Sequence, residues 1–164
     1  MDVPTSTAAM LLQFPMDWPI LGLVAAILGL ESFSSGSTRT SSISIAVPLS
    51  YLIVLWLPTT FLASTVMSQL TDATSVSAIF ALVFIGMYLV IHRMIFAFGS
   101  GGGDVPQALI SGIATTIIIV TFWVQTPGLK DLWVFGPQVQ LIFSESLRAW
   151  WLAGSFAALA YTRG

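Results

Sequence analysis

The chain has 164 residues, 56% of them hydrophobic and only 7% charged, with mean hydropathy +0.93 and a formal net charge of −2. Soluble domains carry charge on about a quarter of their residues, so lipid has to be the solvent for much of this surface, which points to the membrane class. No run of Lys or Arg supports nucleic-acid binding, and the absence of Cys removes disulfides, thiolate chemistry and structural zinc.

The opening stretch MDVPTSTAAMLLQFPMDW lacks a basic n-region and a small-x-small cleavage site, so the first hydrophobic segment is expected to stay in the protein. That segment, residues 17–35, reads as the first membrane helix, with Asp17 as its N-cap and Pro19 in its first turn. Residues 31–42, ESFSSGSTRTSS, read as a polar loop. Residues 43–67 form a second span containing Pro48 and Pro58. Each proline removes a backbone donor, so this helix is expected to be kinked or broken and packed against other helices.

Residues 68–75 break the pattern again, and residues 76–98 give a third span of roughly 34 Å at 1.5 Å per residue, with His92 and Arg93 near its end. The fourth span is 105–124. The connection after it, QTPGLKDLWVFGPQ, is rich in turn residues and carries Trp133 and Phe135, which suit a membrane interface. In residues 139–161, Gln140, Ser144, Glu145, Arg148 and Ser155 share one helical arc, and Val139, Ile142, Phe143, Leu147, Trp150, Phe156 and Tyr161 share the other. Glu145 and Arg148 would be costly at mid-membrane, so this segment is expected to be an interfacial amphipathic helix and not a fifth span. The fold expected is an all-α polytopic membrane protein, one domain over residues 1–164. Basic residues Arg39, His92 and Arg93 place the first and third loops in the cytoplasm and both termini outside.

The stretch FGSGGGDVPQ, residues 98–107, superficially suggests a nucleotide site. No Lys follows the glycines as a P-loop requires, and Asp104 stands where a dinucleotide fingerprint has its third glycine. As a helix boundary it is coherent: Gly99 and Gly101 to Gly103 end the third span, Asp104 caps the fourth, Gln107 completes an Asp-x-x-Gln capping pattern and Pro106 lies in the first turn. His92 is the single histidine and the weak candidate for a pigment or haem ligand; its position fits an interfacial side chain better. Glu31, Asp72 and Asp104 all fall at span ends, and no spacing selects a Ser-His-Asp set. No metal site, catalytic residue or cofactor is expected. Ala108, Gly112 and Thr116 recur every four residues with Ser111 and Thr115 beside them, a small-residue face that admits a neighbouring helix.

Four spans and a C-terminal amphipathic helix in this length resemble the colicin V production protein family of bacterial inner-membrane proteins. That family has Arg-Gly-x-x-Arg-Glu after its first span, and SGSTRT keeps Gly36 and Arg39 at that spacing, with Ser35 and Thr40 in place of the outer charges. Its fourth helix opens with Asp-Arg followed by glycines four, eight and twelve residues after the Asp. Here Asp104 leads to Ala108, Gly112 and Thr116, with Val105 in place of the Arg. A Ser and an Arg followed by aromatics near the C-terminus are similar to SESLRAWW, residues 144–151. The resemblance implies a non-enzymatic inner-membrane protein linked to export or envelope homeostasis, its partners being the lipid bilayer and other membrane subunits or itself. Two other expectations stand beside it: an accessory subunit of a larger respiratory or photosynthetic complex, and a holin-like pore-forming oligomer.

Overall fold

The computed structural model describes residues 16–35, 37–59, 72–96, 104–126 and 128–162. Among them there are seven α-helices and no strand: α1 Asp17–Ser35, α2 Ser37–Trp56, α3 Ala73–Phe96, α4 Val105–Gln125, α5 Leu129–Leu132, α6 Pro137–Ile142 and α7 Arg148–Tyr161. The helices α1 to α4 are each long and apolar enough to cross a membrane, so the chain is a polytopic helical membrane protein. Gly36, Gly99, Gly101 to Gly103, the far end of the second expected span (residues 60–67) and residues 68–71 lie outside the described residues.

The centre of the bundle is α4. Of its spanning window 56% is buried, against 44% for α2 and only 17% for α1 and for α3. Its most extensive neighbour is α1, followed by α7 and α2, while α3 packs chiefly on α2. Val54 of α2 clusters with Phe80 near the start of α3, which makes these two antiparallel. In lipid, apolar burial gives little drive for helix association, so close approach and interhelical hydrogen bonds have to supply it. The outward faces accordingly carry the bulk: Leu23, Ile27 and Leu30 on α1, and Leu82, Ile85 and Leu89 on α3, are exposed.

The α1–α4 contact rests on Gly112. A Cβ placed there would lie 2.6 Å from the Ala25 carbonyl oxygen, 2.6 Å from the Gly29 nitrogen and 2.8 Å from the Gly29 Cα. The two backbones therefore touch, and α1 can seat only against a residue without a side chain. Ala108 and Thr116, one turn to either side, are buried on the same helix. At its other end α1 is tied to the chain beyond α4: the Asp17 carboxylate accepts a hydrogen bond from the Gly136 N–H, and the Trp18 indole donates to Gln138 Oε1 at 3.2 Å. Asp17 thus anchors α1 to the α5–α6 connection. Gly128 makes the turn into α5 with φ +90°, in a space where a Cβ would meet the Ala73 carbonyl oxygen at 2.8 Å.

Three expectations change. Residues 31–42 are not a loop, because α1 runs to Ser35 and α2 starts at Ser37. Ser32, Thr40, Ser41 and Ser42 from that stretch lie inside the bundle, as does Ser44 just beyond it, while Ser34 is exposed. A hydroxyl in a membrane helix satisfies itself on the carbonyl four residues back, as Ser44 does on Thr40 at 2.8 Å, so polarity there does not break the helix. Pro48 also leaves α2 unbroken, whereas Pro58 falls in the single 3-10 turn Leu57–Thr59 that follows the helix.

The third change is at the C-terminus, where one helix over residues 139–161 was expected. It is two, α6 and α7, separated at residues 143–147. Ser144 and Ser146 favour local turns over helix, and side chains take over the freed carbonyls: Trp151 Nε1 donates to Ile142 O at 2.8 Å and Arg148 Nε to Phe143 O at 3.2 Å. The two expected arcs remain distinct along α7. Ser155 is buried with Leu159, whereas Trp150, Phe156 and Tyr161 face outward, as expected where lipid takes the apolar side. At about 21 Å, α7 packs beside the middle of α4, bordering Ile110, Ala114 and Ile117.

The Gly112 contact gives a paired test. Gly112→Ala forces two backbones apart and is expected to cost about 1–3 kcal/mol. Gly29→Ala, on the other side of the same contact, has 3.5 Å to the nearest atom and is expected to be neutral or slightly stabilising through helix propensity. Thermal unfolding in detergent, read by far-UV circular dichroism, separates the two.

Candidate functional site: a hydroxyl seam between two parallel helices

The helices α2 and α4 run in the same direction with residues paired at a constant offset. The Ser44 and Thr115 hydroxyls lie 2.8 Å apart. Val47 and Ile118 share one buried cluster, and the rings of Tyr51 and Phe122 are 5.2 Å apart. This contact uses the 0, 4, 7 and 11 positions of a helical face, counted from Thr40 on α2 and from Ser111 on α4. The first two positions on each helix carry aliphatic hydroxyls and the last two carry aliphatic or aromatic side chains, so the seam is more polar toward the start of both helices than toward their ends.

The two paired hydroxyls also bond within their own helices: Ser44 to Thr40 O and Thr115 to Ser111 O, both at 2.8 Å. One turn before the paired residues, Thr40 Oγ1 and Ser111 Oγ are fully buried with no hydrogen-bond partner among the described residues, and Ser155 Oγ on α7 is in the same condition. Buried hydroxyls without partners carry a desolvation cost of about 1–3 kcal/mol each, so this end of the bundle interior is its least satisfied polar region. Outside it, Arg39 forms an ion pair with Glu31 across the α1–α2 junction. It is the only ion pair among the described residues, and both side chains are substantially exposed.

The expected site residues are distributed over two faces and two surfaces. Arg39 sits in the ion pair at the mouth of the seam. Asp104 occupies the N-cap position of α4 with extended backbone, but its side chain makes no capping hydrogen bond and is exposed. The start of α4 is held instead by the Asp104 carbonyl, which accepts from the Ala108 N–H at 3.0 Å, with Pro106 in the first turn. Ala108, Gly112 and Thr116 face α1, and Thr116 donates to Gly112 O at 2.9 Å. Ser111 and Thr115, expected beside that ladder, form a separate face toward α2. His92 is half buried and stacks on Tyr88 with ring centroids 5.4 Å apart; Asp72 is exposed one residue before α3.

A polar loop over residues 31–42 would leave Thr40 outside any helix, and the seam becomes visible only once α2 starts at Ser37. The signal was present: Thr-x3-Ser-x2-Val-x3-Tyr from Thr40 and Ser-x3-Thr-x2-Ile-x3-Phe from Ser111 have the same spacing and the same order of polar before apolar. No group of three His, Cys, Asp or Glu side chains able to hold a metal occurs among the described residues. What the arrangement provides is helix registration, by one interhelical hydrogen bond and a set of matched faces.

A double-mutant cycle on Ser44→Ala and Thr115→Val measures that bond. The coupling expected is about 0.6 kcal/mol, the average for interhelical hydrogen bonds in membrane proteins, because each hydroxyl keeps its own helical carbonyl. Additive single-mutant effects would remove the bond from the account. No family model, curated protein or solved structure matches this chain.

Proposed function

We propose that the protein is a non-enzymatic component of the bacterial inner membrane, similar to the colicin V production family, that serves export or envelope homeostasis by assembling with other membrane subunits or with itself. The observation that carries this reading is the ladder that follows Asp104. Ala108, Gly112 and Thr116 are the positions at which the resemblance expects glycines, and they form the surface against which α1 packs, Gly112 at backbone contact. A motif whose residues bear on helix packing suits a scaffold better than a reaction centre. Arg39, kept at the spacing of the family motif, contributes an ion pair at the α1–α2 junction, again a structural use.

The accessory-subunit reading draws on a different observation. The spanning helices α1 and α3 are only 17% buried, so two broad apolar faces are left for lipid or for neighbouring subunits, and His92 lies near the end of one of them. Extraction in mild detergent followed by native mass measurement separates the readings. The proposal predicts a colourless assembly larger than one chain and no ion leakage when it is reconstituted into vesicles. A coloured high-mass complex would replace it with the pigment- or haem-bearing subunit reading, and leakage would replace it with the pore.

A further inference from the structure

Between α4 and α7 runs an apolar groove of about 490 Å³, lined by Ile113 and Ile117 on one wall and by Leu147, Trp150, Gly154 and Ala158 on the other. It opens sideways along the middle of a spanning helix, where the surrounding solvent is hydrocarbon. The α7 wall begins at Leu147, and Arg148, the next residue and the first of α7, stands at that end, the head of the groove, just outside the lining. Its Nε is bonded to the Phe143 carbonyl, and it makes no ion pair with any acidic side chain among the described residues. The head of the groove is also the end that lies toward the start of the spanning helix α1. The preceding α6 belongs to the cluster of Val139 and Phe143 with Trp18 and Leu21 at the start of α1, and Gln138 is bonded to Trp18 itself. From there Arg148 has a side chain long enough to reach head-group level.

We propose that this groove binds one anionic phospholipid, an acyl chain lying between α4 and α7 and its phosphate paired with Arg148. The wall chemistry calls for a chain of methylenes, and the unpaired guanidinium at one end calls for an anion. A glycerophospholipid supplies both at that separation of character along its length, whereas a second apolar helix would bury Arg148 without a counter-charge. The break between α6 and α7 gains a role from this reading: a continuous helix over residues 139–161 would not offer its first-turn Arg at the head of a groove.

Native mass spectrometry of the full chain tests it, with detergent micelles carrying equal amounts of phosphatidylglycerol and phosphatidylcholine. The wild type is expected to retain one phosphatidylglycerol per chain, favoured about five-fold over phosphatidylcholine, as one near-surface basic residue would give. Arg148→Gln is expected to retain lipid without that preference, and Arg148→Lys to restore it. Gly154→Leu should abolish retention by filling the groove. The space beside Gly154 is open, with nothing within 4 Å of an added Cβ, so unchanged helicity by circular dichroism accompanies the loss. The proposal is overturned if the wild type retains no lipid, if Gly154→Leu retains as much as wild type, if Arg148→Gln keeps the full preference, or if the groove is occluded in a lipid-free dimer.

Discussion

The backbone contact at Gly112 is the constraint on which the rest of the bundle depends. With α1 pressed against α4 at van der Waals range, one side of α4 is committed, and α2 and α7 are left the remaining arcs of the same helix. Each arc has its own chemistry: small residues toward α1, hydroxyls and then apolar residues toward α2, and aliphatic residues toward α7. Because α4 touches all three, a change in its rotation would disturb every interface at once. The Asp17 carboxylate bonded to the Gly136 N–H ties the start of α1 to the α5–α6 connection, so α1 is held by close approach to α4 and by a hydrogen bond to the chain beyond it.

This interior is built from what a soluble protein usually exposes. Ser32, Thr40, Ser44, Ser111, Thr115, Thr121 and Thr126 are all buried, while leucines, isoleucines and tryptophans form the outer surface. Lipid makes that arrangement favourable, because an outward leucine costs nothing and an inward hydroxyl can return to its own helix, as Thr121 and Thr126 do on the carbonyls of Ile117 and Phe122. The hydroxyls that lack partners lie toward the start of α2 and α4 and on α7. The polar end of the seam thus coincides with the end of the bundle that carries the Glu31–Arg39 pair, and the oily end with the Tyr51–Phe122 contact. For a protein proposed to work by assembly, this distribution leaves the outer faces of α1 and α3 as the surfaces on which lipid or partner subunits compete.

Much of this was legible from the residues. Long apolar runs gave α1, α3 and α4 within a few residues, and the Asp-Val-Pro-Gln start of α4 was legible from its proline. The four-residue recurrence of Ala108, Gly112 and Thr116 identified a packing face, though not that α1 would be its partner, since spacing on one helix says nothing of which helix it meets. The start of α2 is hidden in the sequence because Ser and Thr, which favour turns in water, are accommodated inside a membrane helix. The two arcs of the C-terminal segment were legible in α7, where Ser155 is buried and Trp150, Phe156 and Tyr161 face outward. The break at residues 143–147 is accompanied by side-chain bonds from Trp151 to the Ile142 carbonyl and from Arg148 to the Phe143 carbonyl, which helical periodicity does not announce.

The central claim, that α2 and α4 are parallel neighbours registered at Ser44 and Thr115, can be tested in native membranes because the chain contains no cysteine. Ser44→Cys and Thr115→Cys together, oxidised in the membrane and cut within the intervening sequence, should give two fragments held by a reducible bridge. Ser44→Cys with Leu109→Cys, the latter exposed on the far side of α4, should not. Bridging in the first pair alone is the result this structure predicts. No bridge there, or equal bridging in both pairs, would contradict the packing on which the whole account stands.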